Sequence, residues 1–308
     1  MTLKPRALEP GSRLAVVAPA SSFPRQEFDD GIAELERLGF TPVYDDTVFA
    51  RHTYVAGPAE LRADAIHRAL ADPTIAGIIA VRGGFGSAHL LPLLDHAEVR
   101  RARKPFIGYS DITSLLAFVS TGCELVAFHG PTVAGRLGKG VGSYDRESFT
   151  NALCRREPMG ELTTAAVETI KSGEAAGPLF GGTLAQLVAS LGTPFAFSPP
   201  QGHVLLLDEV NERPYRLDRM VTQLRQAGVL ARAAAVVVGE LPGCDEPAGD
   251  PTARSVVADL FGDFPGPVLI GFPSGHTAGP AMTLPLGVMC RVVGDRHPRL
   301  VIEEAAVE

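Results

Sequence analysis

A serine stands where a short apolar run passes directly into a helix-like one, in Ile107-Gly108-Tyr109-Ser110-Asp111-Ile112. A hydroxyl projecting from such a strand-to-helix turn can act as a nucleophile, because the amide that follows it points the same way as the new helix N-terminus and can face a developing oxyanion. The bland alternative is a helix cap, with Ser110 or Asp111 accepting from free N–H groups. The segment also departs from the GxSxG elbow, since Ile112 stands where the second glycine would be. A second corner, Arg82-Gly83-Gly84-Phe85-Gly86, follows a buried-strand pattern and precedes a helix-like one. Its backbone N–H groups could face an anion, or it could be a plain turn. The spacing is not GxGxxG and the strand is not the first of its fold, so a dinucleotide is a poor occupant. As an oxyanion donor beside Ser110 the loop makes chemical sense.

A serine nucleophile needs a base, and the chain has eight histidines. His52, His67, His96, His203 and His297 lie in polar or helix-surface contexts and read as solvated, whereas His89 follows the glycine loop. His129 ends a strand in Phe128-His129-Gly130-Pro131 and is a candidate for substrate contact; His276 lies in the loop Gly271-Phe272-Pro273-Ser274-Gly275-His276-Thr277. An imidazole base needs a carboxylate on Nδ1 to fix its tautomer. Asp208, Glu209 and Glu212, at the end of the run Leu205-Leu206-Leu207, could supply it, or could cap a helix and pair with Arg213, Arg216 and Arg219. Metal ligation by these acids is discounted, because no HExxH or DxDxDG spacing is present. Cys123, Cys154, Cys244 and Cys290 contain no CxxC pair and read as small apolar residues.

The elements that must position these groups follow from the hydrophobic periodicity. Strands are expected over 13–18, 41–44, 75–81, 107–109 and 125–128, and helices over 28–38, 60–70, 88–94 and 112–119, a βαβ alternation that builds a parallel sheet with its chemistry at the carboxyl ends. Four glycines between Gly135 and Gly142 suggest that a first domain spans 1–140 and a linker 141–177. The second domain, 178–308, is expected to be mixed: a helix opened by Gly181-Gly182, strands at 204–207 and 233–239, a helix at 217–227, and late short strands at 268–271, 281–284, 288–293 and 300–302, some in hairpins. The 28 Lys and Arg against 35 Asp and Glu give a net charge of −7. Beyond Arg100, Arg101, Arg103 and Lys104 there is no basic cluster in the sequence to attract nucleic acid or an anionic membrane, so neither is an expected partner. The apolar run after Arg13 is too short and too proline-broken for a signal peptide, and no run approaches a membrane span, so a cytoplasmic location is expected.

Taken together and in order, Val81-Arg-Gly-Gly-Phe-Gly86, Gly108-Tyr-Ser-Asp-Ile-Thr113, His129-Gly-Pro131, Gly181-Gly-Thr-Leu184, Leu207-Asp-Glu-Val-Asn-Glu-Arg-Pro-Tyr-Arg216 and Gly275-His276 resemble the serine LD-carboxypeptidases. The likeness covers essentially the whole chain. It implies a flavodoxin-like parallel-sheet N-terminal domain carrying the nucleophile and a smaller mixed C-terminal domain of swivelling β/β/α type carrying the acid and the histidine. Carried over by position, Ser110 is the nucleophile, His276 the base and Asp208 the acid, with Glu209 and then Glu212 as alternatives. The family usually has Glu where this chain has Asp208, so either the backbone approaches His276 more closely or Glu209 takes over. The oxyanion is expected between the backbone N–H groups of Gly84 and Asp111, and no cofactor is required; which residue holds the D-alanine carboxylate is left open, with Arg82 a candidate anchor and Arg213 a weaker one. The implied reaction releases terminal D-alanine from murein tetrapeptides, cutting after diaminopimelate or lysine, in cytoplasmic peptidoglycan recycling. Relatives are often dimers, and the composition is compatible with a symmetric pair.

Two other functions fit parts of the pattern. Relatives that inactivate microcin-type peptidyl nucleotides share the nucleophile and histidine but usually carry an aromatic-bearing loop for the nucleobase; here Trp is absent and aromatics are 6% of the chain. A non-catalytic murein-peptide binding module is favoured only by the aspartate at position 208.

Overall fold

The computed structural model describes residues 2–308. The first half runs β1 (Arg13–Val17), α1 (Arg25–Arg37), β2 (Thr41–Val43), α2 (Ala59–Ala71), β3 (Gly77–Ala80), α3 (His96–Ala102), β4 (Phe106–Gly108), α4 (Thr113–Ala117) and β5 (Ala127–His129). β2, β1, β3, β4 and β5 lie in that order and all pair in parallel. This is the flavodoxin-like order, in which ligands sit outside the carboxyl ends of the strands. The central strands are near-continuous apolar runs, Ile78, Ile79 and Ala80 being fully buried, as a sheet covered on both faces requires. The expected 88–94 helix is a 3₁₀ stretch over Ser87–Leu93 with Pro92 inside it, where the missing N–H prevents a regular α-helical ladder.

The second half comprises α5 (Arg146–Cys154), β6 (Gly160–Leu162), β7 (Glu168–Lys171), β8 (Gly173–Thr183), α6 (Leu184–Ser190), β9 (His203–Asp208), α7 (Pro214–Gln226), β10 (Ala233–Gly239), α8 (Ala253–Leu260), β11 (Val268–Phe272), β12 (Leu284–Leu286), β13 (Met289–Gly294) and β14 (Arg299–Ile302). An eight-stranded sheet is ordered β6-β14-β13-β8-β9-β10-β11-β7, parallel from β8 to β11 and antiparallel towards both edges. Side chains alternate along β9: Val204 and Leu206 join the core shared with the first sheet, while Leu205 and Leu207 pack with Leu217 and Val221 of α7 and Val257 of α8.

The structure differs from the sequence expectation in three places. Residues 141–177 are not featureless: Phe149 and Leu153 of α5 are buried in the first core, and β6, β7 and the start of β8 belong to the second sheet. Gly181 and Gly182 end β8 instead of opening a helix, both with φ near +143°. A Cβ at Gly181 would strike the Leu206 carbonyl and one at Gly182 would come within 2.7 Å of Thr113, so glycine allows β8 to lie against both β9 and α4. Finally, β12 forms no late hairpin. It crosses back to pair antiparallel with β5, Leu284 opposite His129, and so stitches the end of the chain onto the first sheet.

Candidate active site

β4 ends at Gly108, and the chain turns through an extended Tyr109 into Ser110, whose φ of +65° lies in the left-handed region. A non-glycine residue there costs on the order of 1–2 kcal/mol, a strain typical of functional turns. The turn closes because its neighbours lack side chains: a Cβ at Gly108 would meet Ile112 at 2.7 Å and one at Gly83 would meet the Ser110 Cβ at 2.8 Å. The glycine loop therefore packs directly on the serine. Ser110 Oγ caps nothing among the described residues, and the buried Asp111 carboxylate accepts from the Ser87 N–H at 2.8 Å instead of from its own helix. Ser87 Oγ in turn donates to the Asp111 carbonyl at 2.5 Å, locking the two corners together. Gly84, at φ +101°, lies so close to Ser21 that a Cβ would sit 2.5 Å from its hydroxyl, which accepts from Phe85 N–H at 3.0 Å. Neither the Gly84 nor the Asp111 N–H is engaged by another group among the described residues.

The acid and the histidine meet at the carboxyl end of the second sheet. Asp208, the last residue of β9, is fully buried. Its Oδ2 accepts from His276 Nδ1 at 2.8 Å and from Thr183 Oγ1 at 3.2 Å, and its Oδ1 accepts from the His276 backbone N–H at 2.9 Å. Burial pushes this carboxyl up, but the hydrogen bond and charge of His276 outweigh it and hold Asp208 below the ordinary aspartate value. Gly275, at φ +73°, explains how the short aspartate suffices: a Cβ there would collide with Asp208 Oδ2 and with the His129 ring. Glycine thus lets the backbone of His276 come down onto the carboxylate. The His276 side chain is 16% exposed, and its ring meets the edge of Tyr109, the residue before Ser110, with centroids 5.1 Å apart. A cleft of about 600 Å³ opens beside this pair, with Tyr109, Arg136, Lys139, His276 and Thr277 in its walls.

The other candidates separate cleanly. Glu209, next on the strand, points the opposite way: its carboxylate accepts from Ala185 N–H at 2.8 Å and Val210 N–H at 3.0 Å, and burial pushes its pKa up to about 7. Glu212 pairs with Arg216 at 3.2 Å, and Arg213 pairs with Glu246. Arg82 is exposed and has no ion pair among the described residues. His129 is wholly buried and cannot touch substrate; it lies behind the acid, with Nε2 4.0 Å from Asp208 Oδ2. Ser274 Oγ donates to the Met282 carbonyl at 3.0 Å and accepts from His129 Nδ1 at 3.0 Å, an assignment that leaves Nε2 unprotonated. Burial lowers the His129 pKa to about 4, so the ring is neutral near pH 7. His203 is buried and not solvated, its Nδ1 on the Pro200 carbonyl at 2.8 Å.

Residues 14–130 match the LD-carboxypeptidase N-terminal domain family and residues 176–292 the LD-carboxypeptidase C-terminal domain family. The chain belongs to the LD-carboxypeptidase family. It is 31% identical over 283 residues to the murein tetrapeptide carboxypeptidase of Pseudomonas aeruginosa, covering 86% of this chain and 88% of that one. A crystal structure of muramoyltetrapeptide carboxypeptidase from Oxalobacter formigenes superposes with a TM-score of 0.85 at 26% identity, over 96% of this chain and all of that one. The microcin C7 self-immunity protein MccF in complex with aspartyl sulfamoyl adenosine superposes with a TM-score of 0.90 at 24% identity, over 99% of this chain and all of that one, a likeness of fold.

For an LD-carboxypeptidase, the residues that sequence reasoning passed over are Thr183, Tyr109 and Arg136. Thr183 carried a weak signal, since a hydroxyl directly after Gly181-Gly182 sits at a forced close approach. Arg136 carried none, because it falls in a glycine-rich stretch that reads as a domain boundary.

Proposed function

We propose that this LD-carboxypeptidase hydrolyses the L,D-amide bond of murein tetrapeptides and releases the terminal D-alanine, through Ser110, His276 and Asp208, in cytoplasmic peptidoglycan recycling. The observation that carries the reading is the Asp208–His276 pair, held by two hydrogen bonds to one buried carboxylate, on the same junction as a serine in left-handed backbone. The Nδ1 proton of His276 is held by Asp208, which leaves Nε2 free to accept a proton.

In the first half-reaction His276 Nε2 takes the Ser110 proton as Oγ attacks the scissile carbonyl carbon. The oxyanion is received by the N–H groups of Gly84 and Asp111, neither of which is engaged by another group among the described residues. Collapse of the tetrahedral intermediate breaks the C–N bond, and His276 passes its proton to the departing D-alanine amine. The exposed Arg82, which has no ion pair among the described residues, receives the carboxylate of that D-alanine. Water, deprotonated by His276, then attacks the acyl-serine ester; as the ester C–O bond breaks, His276 returns the proton to Ser110 Oγ and the tripeptide leaves. The murein name of the Pseudomonas relative and the family membership of both domains support the substrate class. Among the described residues no helix is long and apolar enough to cross a membrane.

The test is incubation of the purified protein with murein tetrapeptide, following free D-alanine by chromatography. Release by wild type and its loss in Ser110→Ala are expected. Intact tetrapeptide after prolonged incubation with folded wild-type protein would overturn the proposal.

A further inference from the structure

Asp208 ends β9 and His276 lies in the loop after β11, both of the second sheet, whereas Ser110 follows β4 of the first. The acid–imidazole pair fixes the ring relative to the second sheet and says nothing about its distance from the serine. The 275–279 loop has glycines at both ends, and besides the Asp208–His276 pair the hydrogen bond that ties it to the second sheet among the described residues is that of the Ala278 N–H to Glu240 at 2.8 Å. Beside the ring contact of Tyr109 and the packing of His129 on Gly275, one side chain among the described residues hydrogen-bonds to the loop from the first sheet's side. Arg136, in the segment Val133–Leu137 after β5, donates from Nη2 to the Gly275 carbonyl at 2.9 Å and to the Thr277 carbonyl at 2.7 Å. From Nη1 it donates to the Gly279 and Ser143 carbonyls, each at 3.0 Å. The guanidinium also lies beside the phenol of Tyr109, where its charge opposes the rise that burial imposes on that group.

We propose that Arg136 is a positioning residue for the acyl transfer: it grips the carbonyls on both sides of His276 and sets the imidazole loop in register with the turn that carries Ser110. A planar fork with two donors on each terminal nitrogen matches this set of carbonyls, and the point charge of a lysine does not. The same geometry separates Arg136 from a substrate ligand. Its four terminal N–H groups are all engaged by backbone carbonyls, so neither Nη is free for the forked grip on a substrate carboxylate, even though the residue lines the cleft.

The inference rests on the triad proposed above, so its first readout is the rate at which a fluorophosphonate labels Ser110, which needs an activated serine but no murein peptide. Arg136→Ala is expected to label about 100-fold more slowly than wild type, the loss associated with a misplacement of about 1 Å. Guanidinium ion added at millimolar concentration should restore at least about tenfold of that in the alanine variant and leave wild type unchanged. Arg136→Lys, which keeps charge and stem, should label as slowly as the alanine variant and keeps the test available should the latter fail to fold. On D-alanine release, kcat should fall with KM nearly constant. Labelling of a folded variant within about threefold of wild type, or a raised KM with unchanged kcat, would overturn the role assigned to Arg136. A wild type that is labelled at Ser110 yet releases no D-alanine overturns the murein substrate alone, because the labelling comparison still decides for or against Arg136.

Discussion

Asp208→Asn changes one atom of the site and leaves its volume, and the structure dictates the outcome. The His276 backbone N–H donates to Oδ1 at 2.9 Å, and this bond selects the amide orientation: the asparagine oxygen takes the Oδ1 position. The NH₂ group is then left at the Oδ2 position, 2.8 Å from His276 Nδ1 and 3.2 Å from Thr183 Oγ1. An amide nitrogen can only donate there, so Nδ1 must be the unprotonated ring nitrogen and Nε2 must carry the proton. An imidazole in that tautomer cannot accept the Ser110 proton. The expected loss in kcat/KM is roughly 10⁴-fold, the size seen when a serine-hydrolase histidine is forced into the wrong tautomer, or about 5 kcal/mol of barrier. The assay is D-alanine release from murein tetrapeptide at pH 7–8, with thermal unfolding as a check on folding. Glu209→Gln, one residue away, should lose less than about tenfold, since its carboxylate serves the Ala185 and Val210 amides. Activity of Asp208→Asn within tenfold of wild type, or a larger loss in Glu209→Gln, would refute the reasoning.

Other outcomes follow from the same geometry. Ser110→Gly removes the nucleophile together with the left-handed strain, so the inactive variant should be more stable by about 1 kcal/mol, read as a rise in Tm of about 2 °C. Gly275→Ala should cost at least about 2 kcal/mol of stability and most of the activity, because its Cβ has no room beside Asp208 and His129 and the backbone is at φ +73°. His203 is buried with its pKa lowered to about 4 by desolvation, so the stability it contributes is present above pH 6.5 and lost as pH falls towards 4; His203→Gln should flatten that part of a Tm-against-pH curve. Glu209 acts in the opposite sense: burial raises its pKa to about 7, so wild type loses stability as pH rises from about 4.5 to 7, and the Tm of Glu209→Gln relative to wild type should increase between pH 5 and pH 8.

Much of this site can be read from residue order, and the limits of that reading have physical causes. The parallel first sheet is legible because its strands are apolar runs separated by single amphipathic helices, and Ser110 and the Gly83-Gly84 loop stand at strand ends that such a sheet must bring together. The choice between Asp208 and Glu209 is not legible, because neighbouring residues at a strand end face opposite sides and only tertiary packing says which side of β9 meets the first sheet. Val204 and Leu206 face it, so period two carries Asp208 there and sends Glu209 towards α6. His129 and His203 look solvated or substrate-facing in sequence because burial of a histidine depends on partners far along the chain, such as Ser274 for His129. α8 has a local signal, the reciprocal cap between Thr252 and Ser255, but it sits in a polar stretch after a glycine- and proline-rich loop that masks it.

Removal of a terminal D-alanine through Ser110 requires a covalent acyl-enzyme on that side chain. Its most direct measurement is rapid acid quenching during turnover of murein tetrapeptide, followed by intact-mass and peptide-mapping mass spectrometry. An adduct with the mass of the tripeptidyl acyl group is expected on Ser110, accumulating further in a variant slowed in deacylation, with free D-alanine equal to the sum of adduct and released tripeptide. D-alanine released without any adduct in such a variant, or an adduct on a different side chain, would contradict it.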